Sequence, residues 1–259
     1  MEEISFPKSG LTEYAVEVDA TDYNTMQKVV ALWQQTGLSE SYMMLQIDRN
    51  RVQMVPYTKT TSLVGRLWQQ LQVLYRFTFG GWKLTSERVQ QLKDYYSQIA
   101  NQEVTEKVKV CARCAFCAPR VIDSQLVFEG KYVQILYNYA PIGLGGERLH
   151  FLIVTKRHCP TFSLLTQEEY EEANQLSLFL QEKVETPVRK MFSYHKTGED
   201  AGQSVPHWHL HVVMTENAAQ EWWGKLTVLR NILFGSFQLS AEMLEKQRQK
   251  YYTLLNSGL

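Results

Sequence analysis

Between Gly202 and Met214 the chain reads Gly-Gln-Ser-Val-Pro-His-Trp-His-Leu-His-Val-Val-Met, which sets histidines at 207, 209 and 211 with apolar residues between them. Successive side chains of a strand alternate faces, so His207, His209 and His211 share one face at a spacing of about 6–7 Å. Such a row suits a metal centre, or a phosphate centre in which one ring attacks and another donates. The structural alternative, three imidazoles buried without a ligand, is costly. A second grouping is Cys114-Ala-Phe-Cys117, whose spacing lets two thiolates reach one zinc ion. Spacing alone leaves a pair of small buried thiols equally open. All four cysteines and all six histidines lie between residues 111 and 211, and none lies in residues 1–110. Polar chemistry is therefore expected in the C-terminal part.

The elements that position these residues follow from periodicity. Tyr14–Val18 alternates like a half-buried strand, and Asp22–Gln35 carries Met26, Val29, Val30 and Trp33 at helical spacing before Gly37, a left-handed C-cap. Strands 42–47 and 52–57 flank a polar turn, and helices are expected over 62–79 and 86–100, with 101–109 as a connector. From Cys111 onward the pattern predicts strands: 125–129 and 132–136 with Gly130 at the turn, then 149–155 after the loop Gly143–Gly146. Thr166 and Glu169 form a capping box that opens a helix to about residue 185, stopped by Pro187. Strands 191–196 and 205–214 follow, then a tail with Trp222-Trp223 and a helix from about Ser240.

The triad segment closely resembles the signature of the histidine triad superfamily of nucleotidyl hydrolases and transferases, with Trp208, Leu210, Val212 and Val213 at its apolar positions. Gly202-Gln203-Ser204-Val205, Cys114-x-Phe-Cys117 and the strand end Lys156-x-His158 extend the likeness over roughly residues 111–223. It implies an α+β fold built on an antiparallel sheet. It implies His209 as the nucleophile at an α-phosphorus, His211 as donor to the non-bridging oxygens, His207 as the remaining triad member, and Ser204 as donor to the phosphate or leaving group. The backbone of Gly202–Ser204 would form an anion nest, although the same stretch alone reads as an ordinary loop. A structural zinc would be held by Cys114, Cys117, His158 and His207; Cys111-Ala-Arg-Cys114 lacks the intervening aromatic, so the later pair is preferred. Nucleotide contacts fall to Asn138, His150, Gly202, Gln203 and Lys196. His150 reads equally as a strand-edge histidine. Asn138 stands where hydrolases usually place an acid, a feature similar to the hexose-1-phosphate uridylyltransferases, and Lys196 stands where relatives carry Asn or Gln.

The expected activity is hydrolysis of a nucleoside phosphoramidate or dinucleoside polyphosphate at the α-phosphate through a nucleotidyl-histidine. A transferase or phosphorylase is the alternative, favoured by Asn138 and the two-unit length and opposed by His211, where transferases typically carry Gln. A nucleotide sensor or scaffold is a third reading. The expected divisions are an α/β domain at 1–110, a catalytic domain at 111–223 and a helical tail at 224–259. The first is read as a degenerate triad-like half in an internal pseudo-dimer, or as a family-specific α/β cap. Lys and Arg number 27 against 27 Asp and Glu, so no long-range basic field gathers long nucleic acids. The sequence shows no apolar run of membrane length and no secretory layout at Met-Glu-Glu-Ile-Ser, so a cytoplasmic protein, monomeric with its pseudo-dimer or homodimeric, is expected.

Overall fold

The computed structural model describes residues 4–7, 9–46, 49–101, 114–142, 148–184, 189–216 and 236–257. Cys111, the loop at 143–146, Pro187, the Trp222-Trp223 pair and all of the 101–109 connector except Asn101 lie outside them. In chain order the elements are β1 (Ile4–Ser5), β2 (Ser9–Gly10), β3 (Val16–Asp19), α1 (Tyr23–Gln35), β4 (Ser41–Gln46), β5 (Arg51–Tyr57), α2 (Leu63–Phe79), β6 (Trp82–Lys83) and α3 (Ser86–Tyr96). They continue with α4 (Pro119–Gln125), β7 (Leu126–Glu129), β8 (Val133–Tyr137), β9 (Leu149–Thr155), α5 (Gln167–Val184), β10 (Arg189–Thr197), β11 (His209–Glu216) and α6 (Ala241–Asn256). The paired strands run antiparallel, so the fold class is α+β. Among the described residues no helix is long and apolar enough to cross a membrane.

The chain divides into two compact units, the first comprising residues 1–110, 160–165 and 194–206, the second 111–159, 166–193 and 207–259. In the first, strands run in the order β1-β3-β5-β4 and then the 194–197 part of β10. Its core joins Val16 and Val18 to Met26, Val29, Val30, Trp33, Met54 and Val55. Asp22 caps α1 by accepting from the Thr25 amide at 3.0 Å, and Gly37 takes the left-handed φ of +70° that the sequence pattern anticipates. Trp33 Nε1 donates to Tyr96 Oη at 2.9 Å, which donates to the Tyr14 carbonyl at 2.6 Å, so these two buried aromatics have their polar atoms paired. Helix α3 stops at Tyr96 and continues as a 3-10 turn, four residues short of the predicted end.

The second unit orders its strands β10-β11-β9-β8-β7, and every residue of β9 is buried. The capping box forms as predicted: the Glu169 carboxylate accepts from the Thr166 amide at 2.9 Å, and Thr166 Oγ1 accepts from the Glu169 amide at 3.3 Å. Glu172 accepts from the amides of Lys131, Tyr132 and Val133 at 2.6, 2.6 and 2.9 Å and so fixes the β7–β8 turn. A Cβ on Gly130 would lie 2.8 Å from that carboxylate and from the Val133 carbonyl, which only glycine avoids. Tyr251 of α6 stacks on Tyr137 at 5.5 Å and meets Phe151 edge-on at 5.0 Å.

Two sequence expectations are corrected. Residues 119–125 form α4, with Pro119 at the first turn where its missing N–H costs nothing, rather than leading directly into a strand. The strand expected from residue 205 begins at His209, because Pro206 has no ladder donor and the Trp208 amide turns away to the Cys159 carbonyl. Each unit contains the same order: a strand, a helix, then two strands of which the later lies between the other two. These are β3, α1, β4 and β5 in the first and β9, α5, β10 and β11 in the second.

Candidate active site and metal cluster

Strand β11 pairs with β9 so that His209 lies opposite Val154 and His211 opposite Leu152, which leaves His150 a diagonal neighbour of His211 on one sheet face. His207 precedes the strand, yet its ring joins the same row: Phe116 lies 5.8 Å from the His207 ring and 5.2 Å from that of His209. His209 and His211 follow at 4.8 Å, and His211 and His150 at 5.1 Å. His207, His209 and His150 are buried; His211 is half-buried.

Backbone groups with only one hydrogen-bonding role fix which nitrogen of each ring carries the proton. His209 Nδ1 lies 2.7 Å from the His207 carbonyl, which only accepts, so Nδ1 is protonated and Nε2 keeps its lone pair. His207 Nε2 lies 2.9 Å from the Thr155 carbonyl and 2.9 Å from Thr155 Oγ1, so its proton is on Nε2 and its Nδ1 is a bare donor pair. The Ile142 amide donates to His150 Nδ1 at 3.0 Å, so His150 is protonated on Nε2, which lies 2.9 Å from His211 Nδ1. His211 Nδ1 therefore accepts, and its proton sits on Nε2. The Asn138 amide nitrogen lies 3.2 Å from His150 Nδ1, and its Oδ1 accepts from the Ala140 amide at 3.1 Å, so the buried Asn138 braces His150. Burial and then the His209 ring push His150 down to about 3, and burial lowers His207 to about 4, so both rings are neutral near pH 7.

The bare Nδ1 of His207 lies 3.2 Å from Cys114 Sγ and 3.6 Å from Cys117 Sγ, while His158 Nδ1 lies 3.4 Å from Cys117 Sγ. These four ligand atoms all lie within 4.8 Å of one another, a cluster able to hold a metal ion. Ligand lengths of about 2.0–2.3 Å in a tetrahedron give edges of roughly 3.3–3.8 Å, close to these three sulfur–nitrogen separations, and a Cys₂His₂ donor set is one suited to zinc. The Thr155 contact to Nε2 is the outer hydrogen bond that orients a ligating histidine.

The remaining predicted residues lie in the first unit. Gln203 Oε1 accepts from the Gly198 amide at 2.9 Å and its Nε2 donates to the Pro160 carbonyl at 2.8 Å, so it knits its own loop. Gly202 has φ +78°, and a Cβ there would meet the Gln70 amide at 3.1 Å. Ser204 is exposed, three residues before His207. Lys196 lies near the Tyr194 ring, and desolvation lowers it to about 8. His150 is buried within β9 rather than standing at a strand edge. Sequence reasoning missed Thr155 and Phe116. Phe116 was visible as the aromatic between the thiols, whereas Thr155 gave no signal beyond ending an apolar strand.

Comparison with known proteins places the HIT domain family model on residues 119–218. A bis(5'-nucleosyl)-tetraphosphatase [asymmetrical] of Schizosaccharomyces pombe is 31% identical over 104 residues, 38% of this chain and 52% of that protein, so the chain spans about half the length of this curated relative. Among solved structures, a uridylyltransferase mutant matches 95% of this chain and 79% of its own at TM-score 0.48 and 13% identity. The diadenosine triphosphate hydrolase of Plasmodium falciparum, solved with cyclomarin A, matches 60% and 91% at TM-score 0.40 and 18% identity. The triad and the antiparallel sheet that carries it therefore lie within a HIT domain that spans residues 119–218 of the chain.

Proposed function

We propose that this protein is a nucleotidyl hydrolase acting at the α-phosphate of a nucleoside phosphoramidate or dinucleoside polyphosphate. The observation that carries this reading is the hydrogen bond from His209 Nδ1 to the His207 carbonyl, which leaves Nε2 as the nucleophilic lone pair. Nε2 attacks the α-phosphorus and the bond to the leaving group breaks. The imidazolium so formed is stabilised by the same carbonyl. His211, held with its Nε2–H outward by His150, donates to the non-bridging oxygens as charge develops. The motif assigns Ser204 to the phosphate or leaving group and Gly202, Gln203 and Lys196 to nucleotide contacts. Asn138 and His150 contribute to the pocket by keeping His211 in its donor tautomer. Water attack on phosphorus then releases the nucleoside monophosphate and restores His209.

A structural zinc ion held by Cys114, Cys117, His158 and His207 fits the donor set and the bare Nδ1 of His207. It supplies a cross-link between the start of the second unit, the end of β9 and the triad, and no chemistry. Two thiolate ligands suit the reducing cytoplasm. Residues 1–110 are read as a triad-like half without its histidines, on the shared strand order, with 111–223 as the catalytic domain and 224–259 as a helical tail. Replacing His209 by Asn should abolish turnover of a dinucleoside polyphosphate while preserving its binding, and intact-mass spectrometry of rapidly quenched wild type should show a nucleotidyl adduct absent from the variant. Undiminished turnover by the His209→Asn protein would sink the assignment.

A further inference from the structure

Cys114 and Cys117 share one turn but differ in exposure. The Cys117 amide donates to the Cys114 carbonyl at 3.2 Å and closes a 3-10 turn at Ala115–Cys117. Such a turn keeps the two Cα atoms within about 7 Å, the span a disulfide requires. Their sulfurs lie within 4.8 Å of each other, against about 2.05 Å in a disulfide. Cys114 is 8% exposed, whereas Cys117 faces solvent. Cys159, next in sequence to His158, is fully buried and so sealed from a dissolved oxidant. Phe116, between the two cysteines, is buried with its ring 5.8 Å from that of His207 and 5.2 Å from that of His209. His207 Nδ1 lies 3.2 Å from Cys114 Sγ, and the His207 carbonyl accepts from His209 Nδ1. Both of these neighbours of His209 are therefore fastened to the cysteine turn.

We propose that Cys114 and Cys117 are a peroxide-sensitive dithiol whose oxidation to a disulfide releases the metal ion and displaces the supports of His209. It rests on the reading of the cluster as a zinc site and of His209 as the nucleophile. A cation in the cluster keeps both sulfurs as thiolates, the form that attacks an oxidant. The exposed Cys117 thiolate attacks one oxygen of a hydroperoxide: an S–O bond forms, the O–O bond breaks, and the other oxygen leaves as hydroxide or alkoxide. The Cys114 thiolate then attacks the sulfenic sulfur, forming the S–S bond and expelling the first oxygen as hydroxide. Two electrons pass from the sulfurs to the peroxide oxygens, and the released anions take protons from water. The cluster loses both negative ligands, and the imidazoles of His158 and His207 alone do not complete a tetrahedral site. Drawing the sulfurs together also moves the turn that holds Phe116 against His209.

The test treats the zinc-loaded full chain with stoichiometric hydrogen peroxide, read by a chromogenic zinc chelator and by mass spectrometry after thiol alkylation. A zinc content well below one ion per chain before oxidant is added would overturn the zinc reading and the coupled release with it. Peroxide should release the ion in step with the loss of two alkylatable thiols, and peptide mapping should place one disulfide between Cys114 and Cys117. Cys111→Ser should respond as wild type does. Cys117→His, which keeps a ligand at that position but cannot form the bond, should hold its zinc through the same treatment. Nucleotidyl-adduct formation at His209 should fall at least about tenfold in the oxidised protein, because small misplacements of a reacting group are costly. Dithiothreitol with zinc should restore it. Retained zinc, a bridge to Cys111 or Cys159, sulfinic acid in place of the disulfide, or adduct formation undiminished by the disulfide would each overturn the proposal. Absence of an adduct before oxidation would instead overturn the assignment of His209, and the coupling to it, without touching the zinc and thiol measurements.

Discussion

Acidification should weaken this protein through His150, and the size of the effect follows from its surroundings. The ring is buried in β9, takes the Ile142 amide proton bond on Nδ1, and is pushed from 6.5 to about 3 by burial and the nearby His209. The unfolded chain protonates this residue near 6.5 and the native chain only near 3, so the unfolded state binds more protons throughout that window. Stability therefore falls as pH drops below 6.5, and above it the residue contributes no slope. From pH 7.5 to pH 5 the loss is roughly 2 kcal/mol, because each unit below the unfolded pKa contributes up to about 1.4 kcal/mol. Urea unfolding of wild type and His150→Gln at those two pH values isolates this contribution. Gln leaves the Ile142 amide poorly satisfied, a cost of about 1–3 kcal/mol, but that cost is the same at both pH values and cancels in the comparison. Wild type should lose about 2 kcal/mol more than the variant on acidification. Equal losses would refute the argument that a neutral, sealed His150 sets the tautomer of His211.

Further outcomes follow from the same geometry. His211→Ala should lower kcat by about a hundredfold or more with a small change in KM, because its N–H acts on charge that develops in the transition state; steady-state kinetics on a dinucleoside polyphosphate reads this, and a change confined to KM would contradict it. Cys114→Ser should bring bound zinc well below one ion per chain by elemental analysis and lower the melting temperature by more than about 5 °C, while activity per folded molecule falls less. Glu169→Ala should cost about 2–3 kcal/mol in denaturant unfolding, since it removes the capping box and two bonds to Arg157 at 2.6 and 2.7 Å. A loss below about 0.5 kcal/mol would show that the pair is solvent-screened and the cap dispensable.

Periodicity was a good guide wherever one face of an element meets a core. Helix α1 with its Asp22 cap and Gly37 stop, the β4–β5 pair, β9 and the Thr166 capping box all stand where the sequence puts them. It failed where a tertiary partner decides. Helix α4 is seven residues long, too short for its apolar spacing to rise above the strand that follows. Strand β11 starts four residues late because Cys159, distant in sequence, takes the Trp208 amide. The cysteine pair of the candidate metal cluster was readable from its spacing and His158 and His207 only from the family resemblance, and the reason His207 offers Nδ1 is the Thr155 carbonyl, which no spacing rule could reveal.

The two units share an order of strand, helix and two strands, yet residues 1–110 hold no histidine or cysteine. Chain topology alone therefore does not select the chemistry. In the second unit the selection comes from three one-way backbone groups: the His207 carbonyl, the Thr155 carbonyl and the Ile142 amide. Each fixes one proton, and together they leave an unprotonated nitrogen at His209, an unprotonated nitrogen at His207 beside two thiols, and an N–H on Nε2 at His211. Exchanging any of these rings for another polar side chain would lose the pattern, because an imidazole carries a fixed proton assignment from one ring edge to the other. His207 serves both ends of the row, its carbonyl holding His209 and its ring facing the cysteines. The candidate metal cluster and the proposed nucleophile are thus joined through one residue, with the backbone carrying the orientation to His209 and the ring carrying the link to the cysteines.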